Sequence, residues 1–359
     1  MSEVSSGEAS PPMRRARIAG LSTRNPEYVL DQSEVARRAG ELFGGRLASF
    51  DRLRPIYENA EIETRYSCVP INWYQEQHGF GERNRLFIEN AVSLLADAAV
   101  DACNKAEVSL ADLDGIVAVS TSGIATPSLD ALVMERLGLP RTLQRLPVFG
   151  LGCAGGVIGL SRAAQMAMSQ PGRKYLYLCV ELCGLTFRSR DFSKSNVVAT
   201  ALFGDGAAAA IVGTDVSGPA IEAFGEHTWQ DTLDIMGWDV TDDGLSVIFS
   251  RDIPTHVHRN MRDAAEQFLS ENDLTLDDID QIVSHPGGAK VLDALEQVFD
   301  LPGDALHYSR EVLKNYGNMS AVTVLFVLKA AMDAGLSHRT MLTTLGPGFT
   351  SGFLTLVNS

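Results

Sequence analysis

A pattern that occurs twice constrains the fold of this chain more than any other feature. The segment LADLDGIV at 110–117 returns as LDDIDQIV at 276–283, which is 276 − 110 = 166 residues later. Each copy follows an amphipathic helix pattern and runs into a short apolar strand. Self-similarity of this kind indicates a structural unit that is built twice.

Two further echoes follow in the same order. The helix pattern after Cys153 is repeated after Asn318, and LFGDGAAAAIV near Gly204 is repeated by LGPGFTSGFLTLV near Gly346. Strands that alternate with helices predict an α/β layered fold, and two copies predict similar halves around a pseudo-twofold axis. We expect a loose tail at residues 1–13 and two halves at 14–217 and 218–359, divided at the turn that ends IVGTDVSG.

Composition excludes several classes of protein. Thirty Lys and Arg against 45 Asp and Glu give a formal charge of −15, which repels nucleic acid and anionic membranes. No apolar stretch is long enough for a signal peptide or a membrane span. The five cysteines have no paired spacing of the zinc-ribbon kind. We therefore expect a cytoplasmic protein in a reducing compartment, without a metal.

Cys153 is the first candidate for chemistry. In VFGLGCAGGVIGL an apolar strand pattern runs into glycines and then into a helix that begins around this cysteine. A helix N-terminus lowers a cysteine pKa, because its free N–H groups and dipole favour the thiolate. The sequence thus predicts a nucleophile, although a small buried thiol is an equally simple interpretation.

The same glycines allow a rival hypothesis. Gly150, Gly152 and Gly155 spell G-x-G-x-x-G, and the next strand ends in Glu181, as in a nucleotide-binding oxidoreductase. Glu181 lies 31 residues past Gly150 rather than about 20, which weakens this alternative. An esterase elbow would need glycine where Leu151 stands.

Two residues of the second half complete a constellation. His285 follows a strand and precedes a Pro-Gly-Gly turn, and Asn318 precedes a long apolar helix, where it could also be a plain N-cap. The repeat makes the helix starts of Cys153 and Asn318 equivalent, so a pseudo-twofold axis would bring all three residues to one pocket. A nucleophilic Cys, a His and an amide donor are suited to acyl transfer.

The segments GCAGG, LFGDGAAAAIV, SHPGGAKVLDALE, NYGNMSA and LGPGF resemble the signature segments of type III polyketide synthases, the chalcone-synthase-like family of the thiolase fold. The resemblance runs from about Ile18 to Leu356. It implies duplicated αβαβα layered halves and a homodimer. It also implies acyl-CoA and malonyl-CoA as substrates, with no cofactor and no carrier protein. A ketoacyl synthase III, which performs one condensation, is the closest enzymatic alternative.

The resemblance assigns roles residue by residue. Cys153 would carry the starter, while His285 and Asn318 would hydrogen-bond the malonyl thioester oxygen. Phe203 and Phe249 resemble the two gatekeepers between the CoA tunnel and the cavity, although each could simply pack in the core. Further pocket positions would be Thr121, Thr126, Glu181, Cys183, Gly184, Thr186, Ser320, Gly346, Pro347 and Gly348, and CoA contacts would be Arg52, Gly287, Gly288 and Ala289.

Within the family, the segment VELCGLTFRSRDFSKSNVVATALFGDG looks closer to bacterial alkylpyrone and alkylresorcinol synthases than to plant enzymes. Those enzymes accept long fatty acyl starters. Small residues at Cys183 and Gly184 would widen the pocket, and Thr126 stands where plant enzymes place a methionine across the dimer interface. We therefore expect a medium- or long-chain fatty acyl starter and a pyrone or resorcinol product.

Overall fold

A computed structural model describes residues 14–47, 50–250 and 252–358. The predicted N-terminal tail, residues 1–13, lies outside these ranges. In the described residues no helix is both long and apolar enough to span a lipid bilayer.

Thirteen strands occur in the described part of the chain, most of them apolar along their whole length. Nine belong to one hydrogen-bonded sheet, and the other four form two separate two-stranded sheets, β2 with β3 and β9 with β10. The strands are β1 Arg17–Arg24, β2 Tyr28–Asp31, β3 Thr64–Ser67, β4 Gly115–Val119, β5 Gln144–Val148, β6 Lys174–Leu182, β7 Asp205–Gly213, β8 Ala220–Thr228, β9 Met236–Thr241, β10 Gly244–Phe249, β11 Gln281–Ser284, β12 Arg339–Gly346 and β13 Thr350–Val357.

Eleven α-helices connect these strands over the described residues. The longest ones carry the amphipathic patterns that the sequence predicts before each copy of the repeat. The helices are α1 Gln32–Phe43, α2 Phe50–Leu53, α3 Ile56–Asn59, α4 Phe80–Lys105, α5 Leu129–Leu137, α6 Gly155–Ser169, α7 Lys194–Leu202, α8 Ile253–Ser270, α9 Ala289–Val298, α10 His307–Tyr316 and α11 Thr323–Ala334.

The sheet order is itself repeated. One side reads β5-β4-β6-β7-β1 and the other reads β11-β12-β13-β8, and the two meet only where Arg17 of β1 pairs with Ala220 of β8. In each half, two parallel strands are followed by an antiparallel one: β4, β6 and β7 correspond to β11, β12 and β13. The duplication predicted from the sequence echoes is confirmed.

Helices form three layers around these strands. Helix α6 contacts β4 and β6 of the first half and also β8, β12 and β13 of the second, so it lies between the two halves of the sheet, as does α11. Helix α4 covers the outer face of β1, β6 and β7, while α8 covers β8 and β13. Burial of apolar area of this extent is the main stabilising term for such a fold.

The layering gathers strand ends at the centre of the molecule. Strands β4, β5 and β6 are parallel, so their carboxyl ends lie at one edge, and β11 ends one residue before His285. Active sites of open α/β sheets form at this edge.

Candidate active site

Cys153 lies in a tight turn between β5 and α6. The turn, Gly152–Ala154, is a 3-10 turn that directly precedes the α-helix. Gly152 has φ +47°, and a Cβ there would stand 2.5 Å from Cδ of Pro347. Only glycine fits this backbone and this contact. The Gly346-Pro347-Gly348 loop therefore packs directly on the turn that presents the cysteine.

Asn318 is fixed from both sides. Its backbone N–H donates to the Leu202 carbonyl at 2.8 Å, and its own carbonyl accepts from Gly204 N–H at 3.0 Å. Its Oδ1 accepts from the Ser320 N–H at 2.8 Å, and its Nδ2 donates to the Gly287 carbonyl at 3.2 Å. An amide NH2 has two hydrogens, so one N–H remains for a substrate. Asn318 thus caps its turn and also presents a donor.

His285 directly follows β11 and is buried. Neither ring nitrogen has a hydrogen-bond partner in the described residues, although both are shielded from solvent. Buried polar atoms without hydrogen-bond partners cost free energy, and a bound ligand can provide the missing partners. Burial lowers the pKa of His285 to about 3, so the ring is neutral, with one N–H donor and one acceptor.

The expectation that the helix N-terminus lowers the pKa of Cys153 is wrong for the free enzyme. Burial raises the pKa of this thiol to about 12, the Ser320 hydroxyl opposes that shift less strongly, and the Glu181 carboxylate adds to it. The Sγ–Oγ distance to Ser320 is 3.7 Å. The resting site therefore holds a neutral thiol and a neutral imidazole in one chamber, and the thiol proton must leave as the acyl donor arrives.

Glu181 is a buried carboxyl at the end of β6. Its Oε2 accepts from the backbone N–H groups of Thr121 and Ser122, at 3.0 and 2.9 Å, and from the Ser122 hydroxyl at 2.6 Å. Its Oε1 has no partner in the described part of the chain. Burial raises the pKa of Glu181 to about 7 despite these hydrogen bonds. Thr121 also accepts from the N–H of Gly152 at 3.0 Å, which links the carboxyl to the cysteine turn.

Two cavities meet at Cys153. The first, here called the catalytic chamber, has an empty volume of about 400 Å³ and contains Cys153, His285 and Asn318 with side chains of α8 and α9. The second, the middle chamber, has about 410 Å³ and is lined by Cys153, Ser320, Pro347 and the β9–β10 hairpin. Met236 and Phe249 also border both spaces.

A third cavity, the distal chamber, continues beyond the middle one. Its empty volume is about 820 Å³, and it shares Cys183, Phe203 and Val247 with the middle chamber. Most of its wall is apolar. Its lining includes Val35, Ala39, Leu42 and Phe43 of α1, Ile71 and Tyr74, Gly184, Thr186 and Phe187, and Ala199 of α7. The middle chamber shares lining residues with each of the other two, so the three chambers adjoin in series, and Cys153 lines the first and the second.

The structure brings most predicted site residues to this path. Phe249 stands at the first junction and Phe203 at the second, so each borders two chambers. Cys183 is buried at the second junction, and Thr186, whose hydroxyl donates to the Cys183 carbonyl at 2.7 Å, lines the distal chamber. A Cβ on Gly184 would lie 2.5 Å from the Tyr74 hydroxyl, so a larger residue at 184 would displace Tyr74 from the chamber wall.

The remaining predicted residues differ in their distance from the chambers. Thr126 is exposed and is absent from the linings of the three chambers. Arg52 is exposed on α2. Gly287 lines the catalytic chamber, while Gly288 and Ala289 begin α9 next to it. The CoA-binding role of Arg52 and of the segment 287–289 stays a prediction.

Sequence reasoning missed the walls of the chambers. The hairpin β9–β10 contributes Met236, Trp238 and Val247, and β3 contributes Arg65, whose guanidinium donates to the Phe203 carbonyl at 2.8 Å. The alternation in GLSVIF could have indicated the strand β10. No local signal in α1 shows that its apolar face lines a cavity rather than the core.

These features define a class of enzyme. Its fold is a duplicated α/β structure, and helix starts and strand ends bring a cysteine, a histidine and an asparagine together for thioester chemistry. Family models agree over nearly the whole chain. Residues 54–216 match the N-terminal domain, and residues 228–356 the C-terminal domain, of chalcone and stilbene synthases.

Individual relatives agree with this result. A putative chalcone synthase of Bacillus subtilis is 35% identical over 356 residues, covering 94% of this chain and 98% of that protein. The α-pyrone synthesis polyketide synthase-like Pks18 of Mycobacterium tuberculosis is 28% identical, covering 95% and 91%. The crystal structure of 1,3,6,8-tetrahydroxynaphthalene synthase from Streptomyces coelicolor, a bacterial type III polyketide synthase, superposes with a TM-score of 0.91 at 27% identity, covering 95% and 99%.

The chain belongs to the chalcone and stilbene synthase family and is a type III polyketide synthase of thiolase fold. The predicted fold class and enzyme class are confirmed. The alternative of a nucleotide-binding oxidoreductase is wrong, because both family models are those of chalcone and stilbene synthases, and the glycines around Cys153 build the turn and the helix start that present this cysteine.

Proposed function

We propose that this enzyme loads a medium- or long-chain fatty acyl-CoA on Cys153, extends it with malonyl-CoA and cyclises the product to an alkylpyrone or alkylresorcinol. The observation that carries this proposal is the distal chamber, a mostly apolar cavity of about 820 Å³ that adjoins the middle chamber next to Cys153 and shares Cys183, Phe203 and Val247 with it. Each methylene buried in such a space contributes about 0.8 kcal/mol. The mycobacterial relative, an α-pyrone synthesis polyketide synthase-like protein, is consistent with this product class.

The residues of the site suggest the order of steps. Cys153 attacks the acyl-CoA carbonyl, its proton passes by way of His285 to the departing CoA sulfur, and the acyl chain extends into the middle and distal chambers. Malonyl-CoA then loses CO₂, and the electron pair moves to the thioester oxygen, which accepts hydrogen bonds from His285 and Asn318. The enolate carbon attacks the acyl carbon and releases the Cys153 thiolate. Removing one preorganised donor of this kind costs roughly 3–4 kcal/mol.

The experiment is a competition among acetyl-, hexanoyl-, lauroyl-, palmitoyl- and coumaroyl-CoA in the presence of malonyl-CoA, with products identified by mass spectrometry. We expect lauroyl- or palmitoyl-derived pyrones or resorcinols to dominate. Preference for coumaroyl-CoA, or use of malonyl-CoA alone as starter, would contradict the proposed starter class. Release after a single condensation would instead favour a ketoacyl synthase III type of activity.

The Glu181 carboxyl provides a prediction for ring closure. We propose that Thr121, Glu181 and Ser320 activate water for thioester cleavage before aldol closure. Glu181 must be deprotonated to accept a proton, and burial raises its pKa to about 7, so the resorcinol fraction should rise as pH increases through about 7. The Ser320 hydroxyl lowers the pKa of Glu181. Ser320→Ala should therefore shift this rise to higher pH and favour pyrones at pH 7.

The measurement is the ratio of resorcinol to pyrone across pH 6–9 for the parent and for Ser320→Ala. Ser161→Ala is a matched control, because Ser161 is buried and only donates to a carbonyl within α6 at 2.9 Å. An unchanged ratio in Ser320→Ala, or a parent that makes only pyrones at every pH, would count against this role.

We also propose a homodimer, supported by apolar side chains at the surface. Phe149 is 59% exposed and Ile124 is 44% exposed, and they follow the neighbouring strands β5 and β4 close to the exposed Thr126. Burial of both against a second copy would explain their exposure. Light scattering should give twice the chain mass, and Phe149→Asp should produce monomers. A monomeric parent protein would refute the assembly.

A further inference from the structure

Two hydroxyl side chains lie side by side at the end of the second sheet. Ser284 of β11 pairs with Thr343 of β12, and paired residues of neighbouring strands point to the same face. Thr343 is fully buried, and its Oγ1 has no hydrogen-bond partner in the described residues. Ser284 makes only a marginal 3.5 Å contact to the carbonyl of His285.

Thr343 faces the catalytic chamber. Its neighbours two residues away, Met341 and Leu345, pack with α8 and α9. Thr344 also borders this chamber, but its Oγ1 lies towards Gly352 of β13, where a Cβ would stand 3.0 Å from it. Side chains alternate along a strand, so Thr343 shares the face of Met341 and Leu345. It lines the catalytic chamber together with Ser284 and His285.

The surroundings of these hydroxyls are apolar. Ile253 and Met261 of α8 and Val291 and Leu295 of α9 form the wall around them. No lysine or arginine of the described residues lines this chamber. A buried hydroxyl without a partner costs free energy, and one that lines a cavity can be given a partner by a ligand bound there.

We propose that the Thr343 hydroxyl, with Ser284 beside it, binds and orients the carboxylate of malonyl-CoA. This inference rests on the proposed use of malonyl-CoA. His285 and Asn318 would hold the thioester oxygen, and one methylene separates the thioester carbon from the carboxylate carbon. Thr343 is adjacent to His285, whose backbone N–H donates to the Thr343 carbonyl at 2.9 Å.

The chemistry favours neutral donors at this place. In decarboxylation the carbon–carbon bond breaks, CO₂ leaves without a proton, and the electron pair moves to the thioester oxygen. A lysine or arginine would stabilise the carboxylate before reaction and would oppose this movement of charge. Hydroxyl groups can fix the direction of the breaking bond while the apolar wall leaves the carboxylate poorly solvated. Thr343 keeps its proton throughout.

The test uses Thr343→Val, which keeps the shape and removes the hydroxyl. In a Cys153→Gln background, decarboxylation is measured without starter loading, as CO₂ release against malonyl-CoA concentration. A hydrogen bond to a charged group contributes a factor of about tenfold or more, so we expect the KM for malonyl-CoA to rise by at least that factor. Thr343→Ser should restore it. Thr355→Val is the matched control, because Thr355 is equally buried, its Oγ1 has no partner in the described residues, and it lines none of the three chambers.

The outcomes separate this inference from the proposed function. Each threonine variant is also made with Cys153 intact. Loading of a starter on Cys153, seen as a mass increase of the intact protein, then shows that the variant is folded. An unchanged KM in Thr343→Val, or an equal rise in Thr355→Val, would overturn the role of Thr343 alone. A parent enzyme that loads a starter but releases no CO₂ from malonyl-CoA would overturn the proposed function, and this inference with it.

Discussion

Cys153→Ala is expected to abolish polyketide formation. Removal of a nucleophile that carries a covalent intermediate lowers turnover by on the order of 10⁶-fold in acyl-transfer enzymes. Cys153 is the only cysteine of the described residues that lines the catalytic chamber, so no other thiol can take its place there. The measurement is product formation from an acyl-CoA and malonyl-CoA, with the acyl-enzyme observed as a mass increase of the intact protein.

Cys153→Gln should separate the two half-reactions. Malonyl-CoA decarboxylation should continue, because His285 and Asn318 remain, while condensation is lost. Cys103→Ala is a suitable control, since Cys103 is buried on α4 in the outer layer and lines none of the three chambers. Full condensation activity in Cys153→Ala would refute the nucleophile assignment.

Cys183→Phe is expected to close the distal chamber to long starters. Cys183 stands at the junction where the middle and distal chambers meet, and it is buried beside Phe203 and Val247. If six methylenes of the acyl chain can no longer be buried, the binding free energy falls by about 5 kcal/mol. The preference for palmitoyl-CoA over a short starter should then fall on the order of 10³-fold.

The readout is the ratio of kcat/KM for palmitoyl-CoA and acetyl-CoA. Acetyl-CoA should remain a substrate of Cys183→Phe, which shows that the variant is folded, and Cys183→Ser should keep the parental ratio because it preserves the size of the side chain. A Cys183→Phe enzyme that uses palmitoyl-CoA as well as the parent would rule out the distal chamber as the site of the acyl chain.

Sequence reasoning located the residues at the centre of the molecule because they follow repeated elements. Cys153 and Asn318 precede equivalent helices, and His285 ends the strand equivalent to β4, so the echoes alone predict their convergence. It failed on the pKa of Cys153, because a helix start is visible in a sequence and the burial that raises the pKa of the thiol is not. The role of Arg65 cannot be predicted for a related reason: its hydrogen bond to the Phe203 carbonyl joins positions 138 residues apart.

The distal chamber is built mostly from segments outside the repeated elements. Its lining comes from β2, α1 and β3, from the stretches 71–75 and 183–188, from α7 and from β10, with Phe203 as the one residue from a repeated segment. The cysteine, histidine and asparagine instead lie at the ends of elements that the duplication shares. Mutation can therefore reshape the acyl site without disturbing the repeated framework that holds the reacting groups. Within such a family, we expect starter choice to diverge quickly while the condensation chemistry stays fixed.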